Sequence, residues 1–181
     1  MKLFNLTKLD DKILKQLLYA AAKKTGMGVR TSKVVVKVSK GNSAHGSVRP
    51  TRGWGYYVGW LKGKPRKKWT LNDHQVLYSD GGTMLLWIFL PSSSYLIGKM
   101  DTITIAEKIY SLAAHEWKHV ADLQKKKHFG QYNRNWGNRP HERRAIAAAQ
   151  RADRKKNERP DIQDAIINLA INIEEALNGK K

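Results

Sequence analysis

A single five-residue motif constrains this chain more than any other feature of its sequence. It reads His115-Glu116-Trp117-Lys118-His119, which is the pattern His-Glu-x-x-His. Residues four apart lie on the same face of an α-helix, so the two imidazoles meet only if the segment is helical. Two imidazoles placed in this way can bind one Zn²⁺, and the glutamate beside the first can activate a metal-bound water. The motif therefore predicts a helix that carries a metal site.

The residues around the motif predict the helix that it needs. Residues 102–126 contain neither Gly nor Pro. Apolar side chains recur there at helical spacing, at Ile105, Ile109, Leu112, Ala113, Val120 and Leu123. Asp101 is a candidate N-cap, and Thr104 followed by Glu107 is a candidate capping box. We expect one continuous helix over residues 102–126.

The remaining patterns predict an α+β fold in one domain, residues 1–181. Helices are expected over residues 10–24, with Asp10 as the cap, and over 140–157 and 161–178. Strands are expected over residues 30–39, 54–61, 75–78 and 83–90, with a Gly/Ser loop over 41–51. Asp80-Gly81-Gly82 favours a hairpin between the last two strands. We therefore expect an N-terminal helix and a small, mostly antiparallel four-stranded sheet within residues 1–100. The motif helix and two C-terminal helices follow in residues 101–181.

The composition excludes several classes of protein. The 181 residues include no cysteine, which rules out disulfides, cysteine-type zinc fingers and thiol catalysis. A metal site must be built from His, Glu or Asp. No apolar run is long enough to span a bilayer, and the first residues lack the pattern of a secretory signal. We therefore expect no membrane partner and a cytoplasmic protein, with release by lysis or packaging in a phage particle left open.

Positive charge is concentrated in the first third of the chain. The net charge is +19 at pH 7. Residues 1–68 hold 17 Lys or Arg and two acidic residues, a net charge of +15. Residues 69–181 hold 17 Lys or Arg and 13 acidic residues, a net charge of +4. Such a field favours nucleic acid or other anionic partners. The expected nucleic-acid contact lies in the basic region 30–68, although a solvated surface would give the same composition.

A catalytic zinc ion usually takes three protein ligands, so the two histidines need a third. His128, His141 and Glu142 are the candidates. Pro140 fits the first position of a helix, which places Glu142 in its first turn. The preceding loop is long enough to bring that turn back to the motif helix. Glu142 is the preferred ligand, and the other two stay open.

The motif with a downstream helical Glu142 resembles the gluzincin branch of the zincin metallopeptidases. The stretch Arg139-Pro140-His141-Glu142-x-x-Ala145 is similar to the third-ligand segment of small bacterial and phage zincin-like proteins. Residues 70–150 carry the resemblance. It implies a zincin-like fold and a zinc-dependent endopeptidase in which His115, His119 and Glu142 bind the metal and Glu116 is the general base. Lys125 stands where a metzincin would have its third histidine, so that branch is excluded.

Further roles follow from this interpretation. Tyr132, Arg134 and Arg139 are candidate donors to the oxyanion of a protein or peptide substrate. The resemblance implies that strand 75–78 binds substrate along its edge. Asp122 could orient a histidine or be a solvated surface acid.

Two rival functions stay open. A His128 ligand would make the chain resemble the SprT-type proteases, which use three histidines and act on DNA-bound proteins. Alternatively, the chain is a catalytically inactive, basic binding protein with the same fold. Lys118 occupies a motif position that is usually uncharged in zincins, so activity is a separate question from metal binding.

Overall fold

The structure is a computed structural model that describes residues 1–23, 33–38, 45–50, 82–88, 101–124 and 140–179. The described residues include four strands, all before residue 101: β1 (Lys2–Leu6), β2 (Lys33–Val38), β3 (His45–Pro50) and β4 (Gly82–Ile88). The α-helices are α1 (Asp11–Lys23), α2 (Thr102–Gln124), α3 (Pro140–Lys155) and α4 (Pro160–Asn178), with a 3₁₀ turn (Lys156–Glu158) between the last two. No helix in these ranges is long and apolar enough to cross a membrane.

Helices α1 and α2 begin where short acidic side chains can accept the first free backbone N–H groups. Asp10 Oδ1 accepts from the N–H groups of Lys12 and Ile13 at 2.8 and 3.0 Å, which caps α1 as the sequence predicts. Asp101 Oδ1 accepts from Thr104 N–H at 2.6 Å and caps α2. Because α2 begins at Thr102, Asp101 is its cap and the predicted Thr104 capping box is wrong.

The sheet is mixed, in the order β1-β2-β4-β3. β2 pairs in parallel with β1 and with β4, and β3 pairs antiparallel with β4. Alternate side chains of the two central strands are fully buried: Val34, Val36, Met84, Leu86 and Ile88. Since side chains alternate across a strand, these residues share one face of the sheet, and they belong to the same buried core as the helices.

The predicted fold class, a zincin-like α+β fold that begins with a helix and has a mostly antiparallel sheet, is wrong. Most of the residues that the structure describes lie in helices, and the chain enters through β1 before α1. Two of the three strand pairings are parallel, because α1 carries the chain back over the sheet between β1 and β2. The expected loop over 41–51 contains β3. The predicted strands over 54–61 and 75–78, with their hairpin, lie outside the described residues.

Helix α2 lies at the centre of the helical part. It packs against α1, α3 and α4 and against strands β3 and β4. α1 and α4 run side by side, tied by Asp10 N–H donating to Asn172 Oδ1 at 2.8 Å and by the 3.1 Å ion pair of Lys23 and Asp161. The predicted helices over 102–126, 140–157 and 161–178 are confirmed in the residues that the structure describes, as Thr102–Gln124, Pro140–Lys155 and Pro160–Asn178. One face of α2 therefore lies against α3, and the other elements pack on the rest of its surface.

Candidate metal centre

Trp117 fixes the rotation of α2 and so decides where the motif histidines point. Its side chain is fully buried, and its indole Nε1 donates to the carbonyl oxygen of Leu18 on α1 at 2.9 Å. His115 and His119 lie two residues to either side of Trp117, roughly opposite it on the helix. Because the indole is held in the core against α1, the imidazoles face α3. The central residue of the motif is therefore its anchor.

Three ligand-type atoms converge between α2 and α3. The Nε2 atoms of His115 and His119 are 3.1 Å apart. Glu142 Oε2 lies 3.4 Å from the first and 3.3 Å from the second. In a tetrahedral zinc site with bonds of about 2.0–2.1 Å, neighbouring ligand atoms are about 3.3–3.4 Å apart. The three distances therefore fit one face of a zinc coordination tetrahedron.

The chemistry of these atoms supports the same interpretation. Each Nε2 has a lone pair when its ring is neutral and protonated at Nδ1, and a carboxylate oxygen is an acceptor only. Three such atoms within hydrogen-bonding distance repel one another unless protons or a cation lie between them. Two imidazoles and one carboxylate are also the type of ligand set that open catalytic zinc sites use. The residues present therefore fit a zinc ion.

Helix α3 delivers Glu142 from its first turn. Pro140 opens the helix, as the sequence predicts, and Glu142 is buried against α2. Burial raises the pKa of Glu142, but the contacts with His115 and His119 lower it by more, so the pKa lies far below its ordinary range. The carboxylate is therefore ionised, which is the form that binds a metal.

Glu116 lies beside this triangle. Its side chain is almost completely buried, and its Oε1 is 3.9 Å from His115 Nε2. His115, Glu116 and His119 form a group whose ligand atoms lie within 4.8 Å of one another and could hold a metal ion. Glu116 is thus a second carboxylate next to the two imidazoles, and its role as general base stays a prediction.

His141, one of the alternative third ligands, takes a different position. Its Nε2 lies 3.4 Å from Glu142 Oε1, the carboxylate oxygen that is not in the triangle. Its ring packs edge-on against the ring of His119, with centroids 5.6 Å apart. Glu142 has an oxygen atom that lies within 3.4 Å of both imidazoles of the motif. The role of Glu142 as a metal ligand stays a prediction.

Several predicted residues fall outside the part of the chain that the structure describes. The alternative ligand His128 and the oxyanion candidates Tyr132, Arg134 and Arg139 all belong to residues 125–139. The expected substrate-binding strand over 75–78 is also outside. The structure therefore describes the residues predicted as ligands and general base, and the residues predicted to contact substrate stay a prediction.

Sequence reasoning missed an ion cluster next to the site. Asp122 is fully buried, with Lys118 Nζ 2.6 Å from its Oδ1 and Arg144 Nε 2.7 Å from its Oδ2. Burial raises the pKa of Asp122, but the hydrogen bonds from the two cations lower it by more. Asp122 is thus neither a solvated surface acid nor paired with a motif histidine in these contacts. The i,i+4 spacing of Lys118 and Asp122 was the one available signal in the sequence.

Comparison of the chain with protein-family models, curated proteins and solved structures gave no significant match. The class of the site therefore rests on its own residues and distances. These define a candidate centre in which two histidines and two carboxylates meet at the junction of two helices.

Proposed function

We propose that the chain is a zinc-dependent endopeptidase, with His115, His119 and Glu142 as metal ligands and Glu116 as general base. The observation that carries the proposal is the convergence of two Nε2 atoms and one carboxylate oxygen at 3.1–3.4 Å, with a second carboxylate beside them. Peptide hydrolysis is favoured over other hydrolytic reactions by the resemblance of the motif and its glutamate ligand to metallopeptidases.

Each residue has a separate task in this reaction. A zinc ion, when bound, supplies Lewis acidity that polarises a carbonyl and makes a water molecule more acidic. Glu116 accepts a proton from the attacking water and returns it to the leaving amine. Two neutral imidazoles and one carboxylate bring only one negative charge to a divalent ion. The ion and its three ligands would therefore carry a net charge of +1, which would stabilise the oxyanion of the transition state.

The first experiment measures metal content and peptidase activity in the same preparations. The wild-type protein should bind one zinc ion per chain and cleave an unfolded protein substrate, and a chelator should abolish the cleavage. Glu116→Gln should keep the zinc ion and lose activity by about 10²- to 10⁴-fold, since it removes the proton acceptor alone. Glu142→Gln should weaken zinc binding itself.

The matched control is Glu107→Gln. Glu107 lies on the same helix and pairs with Lys156 at 2.7 Å, away from the triangle. This variant should keep both zinc and activity. A wild-type protein without stoichiometric zinc, or a Glu116→Gln variant as active as the control, would contradict the proposal. A protein that binds zinc but cleaves nothing, with or without Glu116, would instead be an inactive binding module.

The charge distribution favours a second candidate function, in which the peptidase acts on proteins bound to nucleic acid. Residues 1–68 carry a net charge of +15. Binding to duplex DNA should then weaken steeply as salt rises, because phosphate contacts release counterions. Protein cleavage that is stimulated by DNA at low salt would support this candidate. Activity that DNA leaves unchanged would leave the general endopeptidase as the better description.

A further inference from the structure

The buried ion cluster of Lys118, Asp122 and Arg144 lies across the same helix junction as the candidate metal ligands. Asp122 has no solvent exposure, and each of its oxygens meets one cation, at 2.6 and 2.7 Å. A buried carboxylate is costly unless it is paired in this way. One cation comes from its own helix, α2, and the other from α3. The pair with Arg144 is therefore a fixed link between the two helices.

This link and the metal triangle lie close together along both helices. Asp122 follows His119 by three residues, and Arg144 follows Glu142 by two. At a rise of about 1.5 Å per residue, the two contacts are separated by less than one turn on either helix. The Asp122–Arg144 contact therefore lies within one helical turn of Glu142.

The two contacts restrain the roll of α3 about its own axis. With about 3.6 residues per turn, Glu142 and Arg144 project in directions about 160° apart, and the buried Ala145 lies between them. Glu142 and Arg144 therefore lie on opposite sides of the contact line between α3 and α2. A roll of about 20° would move a group about 5–6 Å from the axis by about 2 Å. Metal sites tolerate errors of only about 0.2 Å, so this restraint matters for the triangle.

We propose that Asp122 and Arg144 are positioning residues that hold α3 in the roll at which Glu142 Oε2 reaches both histidines. The inference rests on the proposed metal site and deepens it. Lys118 contributes to the same contact, because it pairs with Asp122 and so stabilises the carboxylate that accepts from Arg144. The lysine inside the motif thus supports the third ligand.

The test measures zinc affinity by chelator competition in full-length variants, under conditions in which denaturation curves show each to be folded. Arg144→Met removes the cross-helix charge and keeps most of the side-chain volume. It should weaken zinc binding about 10- to 100-fold, as the loss of outer partners of a metal ligand does. The absorption spectrum of the Co²⁺-loaded variant should change with it, because the ligand geometry changes. Arg144→Lys should restore part of the affinity.

A double variant separates positioning from general destabilisation. If Arg144 acts through Glu142, adding Arg144→Met to Glu142→Gln should cause no further loss of zinc affinity. Ser111→Ala is the matched control, since it removes another α2–α3 contact, the 3.0 Å hydrogen bond to Asp153, away from the triangle. It should leave zinc affinity unchanged.

The outcomes distinguish this inference from the proposed function. Zinc binding by the wild type that Glu142→Gln weakens and Arg144→Met does not would overturn the positioning role alone. Losses that multiply in the double variant would overturn it as well. If Arg144→Met does not fold, Arg144→Lys and Asp122→Asn are judged by the same measurements. A wild type that binds no zinc would overturn the proposed function, and the inference would fall with it.

Discussion

Replacing Trp117 by phenylalanine tests whether this residue anchors the motif helix. The change removes the hydrogen bond from Nε1 to the Leu18 carbonyl, worth about 1 kcal/mol net. It also removes two ring carbons from a fully buried site, worth about 0.8 kcal/mol each. The free energy of unfolding should fall by about 2.5 kcal/mol. For a chain of this length, the melting temperature should drop by about 5–10 °C.

Urea denaturation of the metal-free protein provides the assay, with Tyr19→Phe as the control. Tyr19 lies on α1 and is 43% exposed, so the loss of its hydroxyl should change stability by less than about 0.5 kcal/mol. A loss of stability no larger than that of the control would refute the argument that the indole anchors α2.

Three further predictions concern metal, pH and capping. Free zinc at 100 times its dissociation constant should stabilise the protein by about 2.7 kcal/mol in thermal unfolding, and Glu142→Gln should lose most of this gain. Arg159 and Lys23 lower the pKa of Asp161 to about 2 from 3.8, so the stability from these contacts should be present above about pH 4 and fall as the pH drops towards 2. Urea midpoints between pH 5 and pH 2.5 should therefore fall less in Asp161→Asn than in the wild type. Asp10→Ala should cost about 1 kcal/mol in urea denaturation, because two N–H groups at the start of α1 lose their acceptor.

The helices could be predicted from the sequence because their signals are local. Apolar residues recur at helical spacing in these segments, and a capping aspartate precedes two of them, Asp101 at α2 and Asp10 at α1. The sheet could not be predicted in the same way. Whether β2 pairs in parallel with β1 depends on the path of α1 between them, and alternation within a strand is the same for either direction. This is why the fold class was wrong although the long helices were right.

The same distinction, between local signals and contacts across elements, applies to the candidate site. The histidine pair and Glu116 follow from helix periodicity within one segment, so the motif alone specifies them. Glu142 could be preferred because Pro140 marks the start of a helix, yet its contact with both imidazoles depends on how α3 packs on α2. The Asp122–Arg144 pair spans the same junction and has no local signal, so it was missed.

Lys118 shows that the partner of a charged residue within a motif can lie outside the motif. A charged residue between the two histidines looks unfavourable if it points towards the metal, because like charges repel. Helical spacing gives it another partner, since Asp122 lies four residues further on and accepts from it at 2.6 Å. That aspartate then holds Arg144, which belongs to the helix that supplies Glu142. Lys118 thus pairs with the same carboxylate as Arg144, and it stabilises the link that we propose positions the third candidate ligand.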